Sequence, residues 1–206
     1  MELLPAEVHA VVGANGAGKS TFAKALSGTY GSYDGEVYIN GTLVSTTTPA
    51  EALRHGIACV HQEVDTVLIS YLSAAENLTL FERSESGAPA WVDSSRMINR
   101  ATEMVNSTGL KLDFDLSRPV GSLSLAEKQL LVIIRAISSG SRYIIFDEPT
   151  AALSSEEVKQ LFEVIASLKG QGIGILYISH RMPEVFAIAD RITVFKDGRK
   201  AGTVLA

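Results

Sequence analysis

The chain has 206 residues, 46% of them hydrophobic and 20% charged, which is ordinary globular composition and enough length to bury one core without disulfides or a structural metal. A net charge of -5 with no long basic run argues against sequence-independent nucleic-acid binding, and no apolar stretch approaches the ~20 residues of a membrane helix. The acidic start, with Glu2 and Glu7, is unlike a secretory leader, and the lone Cys59, in the apolar run Ile57-Ala58-Cys59-Val60, reads as a buried strand residue.

In chain order, His9-Ala10-Val11-Val12 predicts a buried strand running into glycines. Thr21 to Leu26 predicts a helix stopped by Gly28 and Gly31. Asn40-Gly41, between Glu36–Ile39 and Thr42–Ser45, predicts a hairpin. A short helix over Ala50–His55 and a strand over Gly56–His61 follow. From Glu76 to about Val120, Met97, Ala101, Met104 and Val105 recur at helical spacing, with Asp93 as a candidate cap and Gly109 as a stop. This reads as a helical insert, joined by the polar run Arg83-Ser84-Glu85-Ser86-Gly87.

A helix over Leu125–Ile137 and a strand over Tyr143–Phe146 come next. The Ser154-Ser155-Glu156-Glu157 capping box opens a helix to about Leu168, and Gly174–Ile178 is a strand. A second hairpin turns at Asp197-Gly198, between Arg191–Lys196 and Lys200–Val204. Apolar strands alternating with helices predict an α/β fold with a mainly parallel sheet.

Chemistry concentrates at strand ends. Gly13-Ala14-Asn15-Gly16-Ala17-Gly18-Lys19-Ser20 matches the phosphate-loop pattern G-x-x-x-x-G-K-[ST], between a strand and a helix where backbone N–H groups and the helix N-terminus favour an anion. Lys19 is the point charge for β- and γ-phosphates, and Ser20 offers a hydroxyl to Mg2+. Such a loop alone fits kinases, GTPases and many motors.

Asp147-Glu148 at the end of an apolar strand narrows the choice: Asp147 suits the Mg2+ shell and Glu148 the activation of attacking water. Ser124 and Glu127 form a capping box that by itself is an ordinary helix start. His180 and Gln62 follow strands in the same position as Asp147, within reach of a γ-phosphate and of Mg2+ respectively.

Phosphate loop, Gln62, helical insert, Leu123-Ser124, Asp147-Glu148 and His180, in this order, resemble the ATP-binding cassette ATPases over nearly the whole chain. The resemblance implies a P-loop NTPase with a RecA-like mainly parallel sheet, flanking helices, a small antiparallel β part and an inserted helical subdomain. Divided so, residues 1–75 and 129–206 form the core and 76–128 the helical part.

It also implies ATP and Mg2+ as ligands. Gly13, Ala14, Asn15, Gly16, Ala17, Gly18, Lys19, Ser20, Thr21 and Gln62 would contact the nucleotide, and Ser20, Gln62 and Asp147 the metal. Glu148 and His180 would be catalytic, and Ser124 would touch the ATP held by a second ATPase domain. Permease subunits and, indirectly, an external sugar-binding protein would be partners at the cytoplasmic face of a bacterial membrane, with no nucleic acid involved.

Pro149-Thr150-Ala151-Ala152-Leu153 and Ile178-Ser179-His180-Arg181-Met182-Pro183-Glu184-Val185-Phe186 are similar to the branch importing ribose, galactose or xylose, whose N-terminal half keeps an intact phosphate loop. Leu125 and Ala126 replace two glycines of the general signature, and Ser154 replaces an aspartate that many relatives place against the opposite domain. With 12 residues before Gly13, an early strand and an adenine-stacking aromatic have no counterpart, which predicts an N-terminally truncated half, an exposed sheet edge and weak nucleotide affinity. A soluble non-transport cassette, a non-hydrolysing nucleotide module and a small-molecule kinase are the rival readings.

Overall fold

A computed structural model describes residues 1–61, 64–86 and 94–206, with the backbone alone for 81–86. In chain order the elements are β1 (Val8–Val12), α1 (Lys19–Leu26), β2 (Val37–Ile39), β3 (Thr42–Val44), α2 (Pro49–Arg54), β4 (Ile57–Val60), α3 (Ala74–Ser86) and α4 (Ser94–Thr108). Then come α5 (Leu125–Ser138), β5 (Tyr143–Asp147), α6 (Ser155–Gly170), β6 (Gly174–Ile178), α7 (Met182–Ile188), β7 (Arg191–Lys196) and β8 (Arg199–Leu205). They divide into two compact units: Met1–Gln62 with Ser139–Ala206, and Glu63–Ser138. Within the second unit, Asn77 ties the loop before α3 to that helix. Its Oδ1 accepts from Ile69 N at 2.8 Å and its Nδ2 donates to the Ile69, Leu72 and Ser73 carbonyls.

The first unit is built on a six-stranded sheet of order β4-β5-β6-β1-β7-β8, parallel except for the β7–β8 hairpin. All five residues of both β1 and β6 are buried, as central strands of a mainly parallel sheet usually are. Val11, Ile145, Leu176 and Ile178 pack with Ala23 of α1 and Ala52 of α2 in one core cluster. Both predicted hairpins turn as expected, with positive φ at Asn40 and Gly41 and again at Asp197 and Gly198.

In the second unit, Ala101, Met104 and Val105 form the buried stripe of α4, and Gly109 ends it at φ 70. One expectation is corrected, and one helix was not foreseen. The backbone stays helical through Ser86, so Arg83 to Ser86 extend α3 rather than join it; Arg and Glu are good helix formers. The helix α7 was not foreseen; Pro183 stands in its first turn, where proline is tolerated. Asp93 and Gly87 lie outside the described residues.

His9 is the one titratable group inside β1, and the sheet accommodates it through an ordered chain. Its Nδ1 donates to the Glu2 carbonyl at 2.9 Å, which leaves Nε2 to accept from the Thr193 hydroxyl at 2.7 Å. Burial is the main influence on the imidazole and holds it below its ordinary 6.5, against the pull of Glu7. The unfolded chain therefore takes up a proton as pH falls through 6.5 while the folded chain resists, so this contribution to stability is present above 6.5 and lost on acidification. Urea unfolding across pH 7 to 5 is expected to show falling stability with a shallower fall in His9→Gln; an identical pH slope in the variant would count against the assignment.

Candidate active site

Three parallel strands adjacent in the sheet, β5, β6 and β1, end at the same edge, and each delivers one of the predicted groups. The C-terminal edge of such a sheet is where ligands bind in open α/β folds. After β1 the chain forms the glycine loop and enters α1 through Gly18, in the left-handed region at φ 93, with no side-chain cap on the helix. The first-turn N–H groups thus remain available to an anion.

The β7–β8 hairpin backs the loop. Gly198 N donates to the Ala17 carbonyl at 3.2 Å, and a Cβ on Gly13 would stand 2.4 Å from the Phe195 carbonyl oxygen. The Phe22 ring meets Phe195 with centroids 5.4 Å apart, locking α1 to the same hairpin.

Lys19 is 5% exposed, and its ammonium donates to the Gly13 and Ala14 carbonyls at 2.9 and 3.1 Å. Glu148 Oε1 lies 4.0 Å from that ammonium and 3.1 Å from His180 Nδ1, so one carboxylate oxygen joins the ends of β5, β6 and β1. Ser20 Oγ donates to Asp147 Oδ1 at 3.0 Å. Asp147 is 7% exposed; burial is the largest influence on its carboxyl and pushes its pKa up, opposed by the Ser20 hydrogen bond. Glu148 adopts φ 49, a left-handed conformation that costs a residue other than glycine, asparagine or aspartate on the order of 1–3 kcal/mol.

The structure thus brings Lys19, Ser20, Asp147, Glu148 and His180 together, with Gly13, Ala14, Asn15, Gly16, Ala17, Gly18 and Thr21 forming or adjoining the loop. Gln62 lies outside the described residues. Ser124 belongs to the second unit, where it caps α5: its N–H donates to Glu127 Oε2 at 2.6 Å and its Oγ accepts from Glu127 N at 3.2 Å. Ser154 likewise caps α6 in a complete capping box.

Sequence reasoning missed His61, whose imidazole is held below its ordinary pKa by burial and lies near Asp147, and it missed Glu184, whose carboxylate accepts from the Thr150 and Tyr177 hydroxyls. The available signal for Glu184 was Tyr177 inside the apolar strand β6, since a buried phenol needs an acceptor.

The family described as ABC transporter matches residues 1–151. The chain belongs to the ABC transporter family. Among curated relatives of this ABC chain, the ribose import ATP-binding protein RbsA 2 of Rubrobacter xylanophilus is 45% identical over 205 residues, covering 100% of this chain and 39% of the relative. The ribose import ATP-binding protein RbsA of Geobacillus kaustophilus is 43% identical over 202 residues, covering 98% of this chain and 40% of the relative. The chain therefore spans about two fifths of the length of these relatives.

Among solved structures, a nucleotide-free ATP-binding cassette from an ABC transporter matches with TM-score 0.83 at 24% identity, covering 100% of this chain and 83% of that one. The ADP conformation of MJ1267, an ATP-binding cassette of an ABC transporter, matches with TM-score 0.81 at 25% identity, covering 98% and 81%. The P-loop NTPase fold, with its small antiparallel sheet, is the ABC cassette fold.

The close seat of the ABC loop on the hairpin predicts that Gly13→Ala forces the two apart. The unfolding free energy should fall by about 1–3 kcal/mol, as for overpacked sites. Unchanged urea midpoints would show that the loop yields freely.

Proposed function

We propose that the chain binds MgATP and hydrolyses it as the ATPase domain of an ABC importer for a simple sugar. The observation that carries the reading is the convergence of Lys19, Ser20, Asp147, Glu148 and His180 on one sheet edge. The sugar-import part rests on the relatives, two of which are named as ribose import ATP-binding proteins.

The residues fit these ligands. Ser20 and Asp147 supply hard oxygen donors in contact with each other, which suits Mg2+, and a buried carboxylate gains from a dication. Bound there, the metal would neutralise charge on the β- and γ-phosphate oxygens. Lys19 exchanges the Gly13 and Ala14 carbonyls for phosphate oxygens, and the uncapped N-terminus of α1 adds its N–H groups. Glu148 takes a proton from water as that water attacks the γ-phosphorus and the bond to the ADP oxygen breaks. His180, in contact with Glu148, orients that carboxylate and senses the γ-phosphate.

Gln62 contributes to the metal shell, and Ser124 reaches the nucleotide of a second ATPase domain packed head to tail. No described helix is long and apolar enough to cross a membrane. Permease subunits hold the domain at the cytoplasmic face, with an external sugar-binding protein delivering cargo. The helical part, expected over 76–128, meets those subunits together with the loop after Gln62.

Glu148→Gln is expected to lower turnover by about 10^2- to 10^4-fold while MgATP affinity, measured by calorimetry, stays within about threefold. Turnover within about twofold of the parent would remove Glu148 from the role of base.

A further inference from the structure

We propose that Glu184 is a positioning residue for the hydrolytic site, holding Glu148 in its left-handed turn through Thr150. The proposal rests on the reading of Glu148 as the base. Glu184 lies in the first turn of α7, with its side chain 13% exposed, and its carboxylate gathers donors from three segments. The Thr150 hydroxyl donates to Oε2 at 2.6 Å, the Tyr177 hydroxyl donates to the same oxygen at 3.1 Å, and Arg181 Nη1 donates to Oε1 at 3.1 Å. Thr150 follows β5, Tyr177 is inside β6, and Arg181 follows His180.

Two of these donors have no access to solvent. Thr150 and Tyr177 are both buried, and the Tyr177 ring packs edge-on against Phe162 of α6. Burial raises the Tyr177 phenol, so its hydroxyl keeps its proton and remains a donor at any working pH. Losing the shared acceptor would leave two buried hydroxyls without it, a costly state that fixes the carboxylate in place.

The need for such an anchor lies at Glu148. A non-glycine residue at φ 49 persists only when its surroundings over-determine it. On one side the Glu148 N–H donates to the Ile178 carbonyl at 3.0 Å. On the other the chain passes through Pro149, whose ring fixes its φ, directly to Thr150. A shift of Thr150 is therefore transmitted to Glu148 rather than absorbed between them. Arg181 extends the same anchorage to the residue next to His180, so one carboxylate sets the spacing of the Glu148–His180 pair.

The test compares Thr150→Val, which removes the hydroxyl at nearly constant shape, with Thr150→Ser, which retains it, in the 206-residue chain. Thr150→Val is expected to lower kcat at least about tenfold with KM for MgATP within about twofold, and Thr150→Ser to recover most of the loss. Amide exchange followed by NMR should show the Glu148 N–H exchanging about tenfold faster in Thr150→Val and near the parent rate in Thr150→Ser. Values of kcat and Glu148 exchange within about twofold of the parent in Thr150→Val would overturn the proposal, as would a rise in KM matching the fall in kcat. A parent chain that hydrolyses no ATP would sink the base reading instead, and Glu148 exchange in the two variants would still decide whether Glu184 holds the turn.

Discussion

The buried ammonium of Lys19 is the constraint around which the rest of the site is arranged. Taking such an ion out of water costs on the order of several kcal/mol unless dipoles and counter-charges surround it. Here the carbonyls of Gly13 and Ala14 and the more distant carboxylate of Glu148 supply them. Each comes from a fixed piece of the fold: the loop from the end of β1, Glu148 from the end of β5. The β7–β8 hairpin keeps the loop from relaxing outward, through Gly198 on Ala17 and Phe195 against Phe22. Under the proposed function a ligand carrying several negative oxygens would replace those carbonyls, because the positive charge is already desolvated and aimed.

A second tension runs through the end of β5. Asp147 is buried with its carboxyl pushed up in pKa, and the next residue holds a left-handed turn. Neither feature helps the domain fold. Under the proposed function both are function imposed on stability: the carboxylate is desolvated where a bound dication would gain from it, and the turn swings Glu148 toward Lys19 and His180. The Thr150–Glu184–Tyr177 cluster is where the fold restrains that turn.

Much of this was legible in the sequence because local signals agreed. The Gly13-to-Ser20 pattern, the apolar runs of β1, β5 and β6, and the Asn40-Gly41 and Asp197-Gly198 turns each carry short-range chemistry that tertiary packing did not override. Asp147, Glu148 and His180 were picked out because each stands at or just past the end of a buried strand, and the structure brings them to one edge. What escaped was long-range. The seating of Gly13 on Phe195 joins positions far apart in the chain, and no periodicity announces it. Glu184 escaped because its partners Thr150 and Tyr177 lie on separate segments. The polar run Arg83 to Ser86 misled in the other direction, since the composition of a linker is also that of a polar helix end.

The most direct measurement is calorimetric titration of the chain with MgATP, with adenosine and with inorganic triphosphate, repeated in Lys19→Ala. Binding carried by the phosphate loop predicts that ATP and triphosphate bind, that adenosine binds at least about tenfold more weakly than ATP, and that Lys19→Ala loses most of the difference. Equal affinity for adenosine and ATP, or ATP binding unchanged in Lys19→Ala, would contradict it.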